Sequence, residues 1–506
     1  MIPSLYHIDC NKNINYCLPR IWCRFSNLTQ NNNFQMINVT EFCRLVTDHE
    51  QILLCKGVDF FATRVWDKLI TEWKMSLNSS TAEELISFAN STHKELECRF
   101  PDSLKELKSN LKRLEYSRKF VQSPDKLWEK WTSRKPAASL QTEFRTITSN
   151  ELLRKKIKLK KQHEIDRIIE LISQIQTFMD HESGSQNTID SVIDIGAGVG
   201  HLSRMISLVN KLAVMAVEGN HQFTLSAHNL DEKLLQDSNI NLTTTPMRFT
   251  SFVTEEMATK VDDFAQNSAI IVGLHCCGDF SSTILKVFLK SRKARALVLF
   301  GCCYHKEFQC FHFLNPDNKD AQTLNDTKLQ TSTVFPLSRK WKGCDLSYNH
   351  REIACHNNEN MASRFGKTSA DSSRYARAHL EKWIWEVSDS PSDRNIGMCS
   401  VKCVENKTTF EEYIRKALAK RGNHLLDKVL RIIPKSELSS FVSSFKSSQF
   451  DSFDVLRLMF APAIESAIID DRISFLQENG VNAQCIPLFD PTISPRNLAI
   501  IAYKHC

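Results

Sequence analysis

The apolar positions of the chain follow two different rhythms, and the change between them falls near residue 155. Before it, residues 40–61 and 81–100 carry apolar side chains at spacings of three and four, which is typical of amphipathic helices. After it, short apolar runs alternate with helix-like stretches and predict buried parallel strands with helices on both faces of a sheet. The five predicted strands are residues 191–195, 212–217, 240–247, 269–274 and 296–300.

The last predicted elements add a reversed strand. A long helix is expected over 453–479 before Gly480, and two apolar runs follow at 482–489 and 498–504. Parallel neighbours need a crossover of about a dozen residues or more, so these two closely spaced strands must form an antiparallel hairpin. The whole pattern resembles the α/β sheet of class I methyltransferases, a Rossmann-like fold of seven strands with a reversed last strand.

The same patterns divide the chain into four parts. Residues 1–150 are predicted to form a helical N-terminal region, and residues 151–305 the core of the sheet. Residues 306–451 interrupt the alternation and predict a polar, partly helical insertion, with helices at 372–385 and 409–421. Residues 452–506 would then return to the sheet with the long helix and the hairpin.

The composition of the chain indicates which cellular compartment to expect for the protein. The first residues lack the pattern of a secretory signal, and no segment reaches the roughly 18–20 apolar residues of a membrane span. The odd count of 17 cysteines in such a chain favours reduced thiols. We therefore expect a soluble protein of the cytoplasm or nucleus with no membrane partner. The net charge of +7 permits a nucleic-acid partner without requiring one.

A glycine-rich loop follows the first predicted strand. Asp194 ends the strand, and Gly196, Gly198 and Gly200 alternate after it. Glycines let the backbone turn tightly and bring its amide groups close to a ligand. A dinucleotide-binding turn would need its third glycine at the position of His201, so a nicotinamide cofactor is disfavoured. The pattern looks like the S-adenosylmethionine loop of class I methyltransferases, in which Asp194 would orient the loop or accept from the cofactor ammonium.

Glu218 ends the second predicted strand, where a carboxylate can accept hydrogen bonds from both hydroxyls of a ribose. An acid after the third strand, expected to bind the adenine amino group, is not evident. Arg248 and Thr250 occupy that region instead, so the sequence leaves the adenine contacts open.

Side chains capable of chemistry follow the fourth predicted strand. His275, Cys276, Cys277 and Asp279 would lie at the edge of the sheet that faces both the methyl group and the substrate. We expect a wall of the acceptor site here, with His275 or Asp279 as a base or hydrogen-bond partner. The structural alternative is that Asp279 caps the following helix.

Cys302, Cys303, Tyr304 and His305 follow the fifth strand, and three interpretations remain open. Tyr304 could stack on a planar acceptor such as a base. A thiolate could attack a pyrimidine ring before methylation of carbon. Adjacent cysteines lack the usual ligand spacing of zinc sites, so no metal is predicted, although a zinc ion remains the third alternative. Its ligands would come from His275, Cys276, Cys302, Cys303 and His305.

Several short motifs extend from about residue 155 to the end of the chain. In order they resemble the methyltransferase-like protein 25 family, which includes a ribosomal RNA adenine dimethylase domain-containing branch. The Cys-rich motifs are also similar to Trm13-type tRNA methyltransferases. Besides the glycine loop, the motifs are KKQHEI from Lys160, VEG from Val217, GLHCCGD from Gly273, GCCY from Gly301, FPLS from Phe335, REIACH from Arg351 and SPRNL from Ser494.

The resemblance implies an S-adenosylmethionine-dependent methyltransferase. RNA is the preferred acceptor, because of the tRNA-enzyme similarity and because the basic run at 155–161 could contact phosphate. A methyltransferase of proteins or small molecules is an alternative. A second alternative is a scaffold that binds the cofactor without catalysing methyl transfer. It remains open because no catalytic motif of the Asp-Pro-Pro-Tyr or Lys-Asp-Lys-Glu type follows the fourth strand.

Overall fold

A seven-stranded sheet lies at the centre of the structure, a computed structural model. It describes residues 37–90, 94–120, 151–154, 157–183, 188–236, 245–306, 335–356, 361, 368–390, 393–394, 401, 403–404, 406–419 and 423–504. The strand order is β3-β2-β1-β4-β5-β7-β6. The strands are β1 Ile189–Ile195, β2 Ala213–Glu218, β3 Met247–Thr250, β4 Ser268–Cys276, β5 Ala294–Gly301, β6 Asn482–Pro487 and β7 Leu498–Tyr503.

The strand directions confirm the class I methyltransferase sheet. Strands β1 to β5 pair in parallel, with Asp194 of β1 opposite Ala216 of β2 and Val272 of β4. Strand β7 runs antiparallel to β5, with Ile501 opposite Val298, and also antiparallel to β6. The chain therefore reverses where the sequence predicts the hairpin, and β7 lies between β5 and β6.

Successive residues of each strand face opposite sides, so the sheet has two cores. Val192, Val214 and Ile270 pack on one side against the helix Leu159–Ser183 (α9), whose buried face includes Ile168. Ile193 and Met215 pack on the other side. Helices of the sheet region are α8 Glu151–Arg154, α9 Leu159–Ser183, α10 His201–Met205, α11 His221–Leu235, α12 Met257–Phe264 and α13 Asp279–Lys290, with a π-helical turn at Ile206–Asn210.

The described part of the N-terminal region, residues 37–90 and 94–120, is mostly helical, as the apolar spacing predicts, and the rest of residues 1–150 lies outside the described part. Its core is continuous with residues of the predicted insertion, such as Trp341, and of the C-terminal helices, such as Phe453 and Ile464. Its helices are α1 Val39–Asp48, α2 Glu50–Leu54, α3 Phe60–Thr63, α4 Thr71–Asn78, α5 Ala82–Asn90, α6 Lys94–Glu97 and α7 Asp102–Arg113, with 3-10 turns at Gly57–Asp59 and Val65–Lys68.

Helices also form after β5. A smaller core around Ile384, Ile414 and Val429 holds several of them together. They are α14 Tyr348–Ile353, α15 Thr368–Val387, α16 Phe410–Leu418, α17 Asn423–Ile432, α18 Lys435–Ser439, α19 Ser448–Leu458 and α20 Ala461–Glu478, with a 3-10 turn at Val442–Phe445.

Two expected elements differ from the structure. The single helix predicted over 453–479 is two helices, α19 and α20, because Pro462 stands in the first turn of α20 and has no amide hydrogen to continue the earlier helix. The third strand begins later than expected, at Met247, while residues 240–244 of its predicted range lie outside the described part. Within the described residues, no helix combines the length and apolar character needed to cross a bilayer.

Candidate functional site

The glycine loop joins β1 to α10 in left-handed backbone conformations. The φ angles of Gly196, Gly198 and Gly200 are 77°, 57° and 72°, a region that side chains with a Cβ rarely adopt. The amides of Gly196 and Ala197 both donate to the Val217 carbonyl, at 2.9 and 3.1 Å. A Cβ on Gly198 would meet no heavy atom within 4 Å. The loop is thus fixed to the end of β2 and borders open space at its middle glycine.

Two carboxylates beside this loop accept hydrogen bonds, one near the carboxyl end of each of the parallel strands β1 and β2. Asp194 is buried and accepts a hydrogen bond of 2.6 Å from the Ser203 hydroxyl, which ties the end of β1 to α10. Burial raises its pKa. Glu218 accepts from the amides of Gly198 at 2.8 Å and Asn220 at 2.9 Å. Glu218 therefore orients the loop amide at Gly198, which borders the open space, and Asp194 anchors the start of the following helix.

Two phenylalanines border the same loop, and sequence reasoning missed both. The Phe280 ring lies 3.4 Å from the ideal Cβ position of Gly196. Phe252, beyond β3, lies 3.2 Å from the ideal Cβ position of Gly219 and is 55% exposed. An exposed aromatic ring beside a strand-end carboxylate offers a face for a planar ligand. The sequence signal for Phe252 is its position just after the third strand, the region in which an acid was expected.

A buried network of two arginines and one aspartate packs against the glycine loop. Asp231 accepts from Arg204 and, at 2.5 Å, from Arg248. Arg204 also donates to the Val199 carbonyl at 2.7 Å. A Cβ on Gly200 would lie 2.2 Å from the Arg248 guanidinium, so only glycine leaves room for it. Arg248 therefore has a structural role beneath the loop.

The first turns of α9 cover the carboxyl edge of the sheet. Glu164 is 1% exposed, interacts with the His275 ring across 3.1 Å and accepts a bond of 2.7 Å from the Ser494 hydroxyl. Burial raises the pKa of Glu164, but these hydrogen bonds outweigh burial and hold it at about 2. His163 accepts from the Asp490 amide at 2.9 Å. The β6–β7 connection thus fixes the helix that orients His275.

The cysteines at the ends of β4 and β5 are arranged differently from expectation. Cys276 is 1% exposed, and burial raises the pKa of its thiol, so the expectation that it acts at the acceptor site is wrong. Its neighbour Cys277 lies beside Cys302 instead, with 2.9 Å between the two sulfurs. Cys303 completes a compact group with Cys277 and Cys302.

Tyr304 is also corrected by the structure. It is 1% exposed, and its hydroxyl donates to Glu465 at 2.9 Å. The guanidinium groups of Arg472 and Arg496 lie 5.1 and 5.8 Å from its ring centroid. The ring is part of the core and presents no face on which a substrate could stack.

The remaining predicted site residues, Asp279 and His305, follow strands β4 and β5 at the carboxyl edge of the sheet. Asp279 begins α13, and its amide donates to the Lys306 carbonyl at 3.3 Å. The cap is Gly278 and not Asp279. His305, of the zinc alternative, lies 3.2 Å from the Cys355 sulfur. The structure therefore brings together the glycine loop, Glu218 and His275, but not the five proposed zinc ligands as one set.

The sheet order and the glycine loop define a methyltransferase domain of class I. In agreement, residues 160–308 match a family model described as a methyltransferase domain.

Among curated proteins, the chain is similar to the probable methyltransferase-like protein 25 of Homo sapiens. The two are 28% identical over 314 residues, which cover 59% of this chain and 48% of the relative. The Mus musculus protein of the same name is 28% identical over 268 residues, or 50% of this chain and 40% of the relative. The chain thus spans about half or less of the length of these relatives.

Solved structures with detected similarity include two methyltransferases. The plantazolicin methyltransferase BpumL in complex with SAH is 10% identical, over 59% of this chain and 96% of that one, with a TM-score of 0.19. Coclaurine N-methyltransferase bound to N-methylheliamine and SAH is 11% identical, over 80% of this chain and 99% of that one, with a TM-score of 0.22.

Proposed function

We propose that this chain is an S-adenosylmethionine-dependent methyltransferase. The observation that carries the proposal is the glycine loop of a class I sheet, which borders open space at Gly198 and is bonded there to the strand-end acid Glu218. Residues 160–308, which match the methyltransferase family model, contain this whole loop.

The proposed donor pocket uses residues on three strand ends. Backbone amides of the loop would face the methionine part, and Glu218 would accept from the ribose hydroxyls. Phe252 would cover a face of the adenine, since its exposed ring lies against Gly219, next to Glu218. No acidic partner for the adenine is needed in this arrangement.

The proposed acceptor side begins at His275. The bound donor supplies an electrophilic methyl group, and the protein must hold the acceptor in line with it. The Glu164 carboxylate orients the imidazole of His275 through their 3.1 Å contact. His275 would hydrogen-bond the acceptor or take its proton as the methyl group is transferred. Asp279 and Cys303 remain proposed neighbours of the acceptor.

Titration calorimetry tests the donor site. We expect one S-adenosylmethionine per chain, and weaker binding by about tenfold or more in Glu218→Ala, because hydrogen bonds to a charged group are lost. The control is Glu232→Ala, on the exposed side of α11, which should bind as the wild type does. Binding of NAD without S-adenosylmethionine would contradict the proposal.

RNA is the acceptor class that we propose. Its support is the resemblance of the Cys-rich motifs to tRNA methyltransferases and the basic run before α9. Lys158 is exposed, and Lys160 is half exposed although it lies 3.6 Å from Glu164. Lys161, in contrast, is partly buried, and this burial lowers its pKa. Residues 155–156 of the run lie outside the described part.

Transfer of a tritiated methyl group onto fractionated cellular RNA and protein tests this choice. We expect label on RNA and weaker labelling as salt is raised, because phosphate contacts release counterions. Label on protein alone would refute the acceptor class and leave the donor site standing.

A further inference from the structure

Three cysteine sulfurs converge at the carboxyl edge of the sheet. Cys277 follows β4, and Cys302 and Cys303 follow β5. Their Sγ atoms all lie within 4.8 Å of one another. In the part of the chain that the structure describes, no other group of three or more histidine, cysteine or acidic residues meets this criterion. The cysteines are not disulfide-bonded, and the 2.9 Å between Cys277 and Cys302 exceeds a disulfide bond length of about 2.05 Å.

The two loops that carry these sulfurs are locked to each other. Gly278 has a φ of 54°, and a Cβ there would lie 1.6 Å from the Lys306 carbonyl oxygen. That oxygen also accepts from the Asp279 amide. The Lys306 amide in turn donates to the Cys303 carbonyl at 3.0 Å. The backbone therefore fixes Cys277 against Cys302 and Cys303 without help from the thiols.

A buried cation contacts the backbone of both loops that carry the cysteines. Arg472 of α20 is fully buried, and its Nη1 is 2.7 Å from the ideal Cβ position of Gly301, the residue before Cys302. Its Nη2 donates to the Gly278 carbonyl at 3.4 Å, but its Nε and Nη1 have no hydrogen-bond partner. A buried charge with unused donors is costly unless an anion compensates it. Asp471 and Tyr304 favour the charged form of Arg472 electrostatically, and three neutral thiols would add no negative charge on the side of the two loops.

We propose that Cys277, Cys302 and Cys303 bind one Zn²⁺ ion as thiolates. Zinc prefers sulfur ligands at about 2.3 Å, and three sulfurs this close need only small shifts to surround one ion. Binding releases the thiol protons to solvent, and Zn²⁺ with three thiolates carries a net charge of −1. That charge would lie near the Arg472 guanidinium, which contacts the loops that carry the three cysteines. A water molecule would complete the tetrahedral coordination.

The proposal goes beyond the methyl-transfer function and does not depend on it. It differs from the alternative that the sequence suggested, because Cys277 replaces Cys276 and neither His275 nor His305 is a ligand. The role that follows is to balance the charge of Arg472 and to reinforce the backbone contacts between the loops after β4 and β5, beside His275.

Metal analysis of the full chain tests the site. After purification under reducing conditions without chelator, we expect about one zinc ion per chain. Cys277→Ser, Cys302→Ser and Cys303→Ser should each lose most of it. The matched control is Cys43→Ser, a partly buried cysteine that hydrogen-bonds to Cys344 outside the group and should keep the zinc. Zinc retained by the triple Cys→Ser variant would overturn the proposal.

Two measurements on the wild type cover the case in which variants misfold. Cobalt added to the chelated protein should give intense thiolate-to-metal charge-transfer absorption. Alkylation mapped by peptide mass should spare the three cysteines until a chelator is added. No cobalt absorption, or a mass showing a Cys277–Cys302 disulfide in fresh reduced protein, would refute the site. Calorimetry with S-adenosylmethionine reports separately on the donor site, so the two proposals can fail independently.

Discussion

Glu465 binds residues of two family-like motifs, Tyr304 of GCCY and Arg496 of SPRNL, and gives them a structural role. This buried carboxylate accepts from Tyr304 at 2.9 Å and from Arg496 at 2.8 Å, and it also pairs with Arg118. Arg496 further donates to the Ala354 carbonyl at 3.0 Å. Two motifs without an evident mechanism in the sequence, REIACH and SPRNL, are thus joined through one buried ion group.

The first prediction concerns this group. Glu465→Gln should lower the free energy of unfolding by about 3–5 kcal/mol, because two buried guanidinium groups lose their counter-charge. Denaturant unfolding followed by circular dichroism measures the change. The control is Glu411→Gln in the exposed pair with Arg415, for which we expect less than about 1 kcal/mol. Equal effects of the two substitutions would show that the buried charge is not needed.

Glu352 gives the second prediction, a pH dependence. Burial raises its pKa, but bonds from His356 at 2.7 Å and Arg457 at 2.9 Å outweigh burial and hold it at about 2, below the usual 4.5. The stabilisation is therefore complete above about pH 4.5 and is lost as the pH falls towards 2.

We expect the difference in unfolding free energy between wild type and Glu352→Gln to shrink by about 1–2 kcal/mol over that range, after allowance for solvent screening. Thermal unfolding at a series of pH values measures it. A difference that stays constant with pH would contradict the assignment.

At the scale of elements, the glycine loop combines two different needs for glycine. Gly198 borders open space, whereas Gly200 makes room for Arg248. The sequence spacing could predict the loop and its positive φ angles. It could not predict this difference, because the Arg248–Asp231 pair forms only when β3 and α11 meet.

The third prediction separates the two glycines. Gly198→Ala should cost about 1–2 kcal/mol of stability, the strain of a left-handed alanine, and should weaken S-adenosylmethionine binding by about tenfold, because the methyl enters the proposed pocket. Gly200→Ala should cost about 3 kcal/mol or more, since Arg248 must leave Asp231. Unfolding and calorimetry measure both. Equal stability losses would contradict the packing described for Gly200.

At the scale of the whole molecule, the N-terminal helices and the sheet share α20. Ile464 of α20 belongs to the N-terminal core, and Ile469 and Ile473 belong to a core of the sheet. Tyr116 donates to Ser466 and Asp470 on the same helix, at 2.9 and 2.8 Å. The two regions should therefore unfold together.

Trp73 tests this coupling and gives the fourth prediction. It is 3% exposed in the N-terminal core, and its ring nitrogen donates to Ser103 at 2.8 Å. Trp73→Ala should cost about 3–5 kcal/mol and reduce hydrogen-exchange protection of β4 and β5 as well as of α4. The control is Met75→Ala, 71% exposed on the same helix, which should change little. Unchanged protection of the strands would show independent folding.

The sequence predicts this architecture well where local patterns decide it. Apolar runs locate β1, β4 and β5, and the short distance between β6 and β7 requires their hairpin. The site is harder to predict because its partners are far apart in the chain. The contacts of Glu164 with His275 and Ser494, and the choice of Cys277 over Cys276, depend on how helices and loops from separate regions pack against one edge.

The contact between Ser494 and Glu164 also sets an order of events during protein synthesis. Glu164 is made 330 residues before its partner, and the hairpin that carries Ser494 follows every other element of the sheet. Until that hairpin leaves the ribosome, α9 lacks its bonds to Ser494 and to the Asp490 amide, and β5 has no neighbour on its outer side. A nascent chain therefore holds its glycine loop long before it holds a finished site.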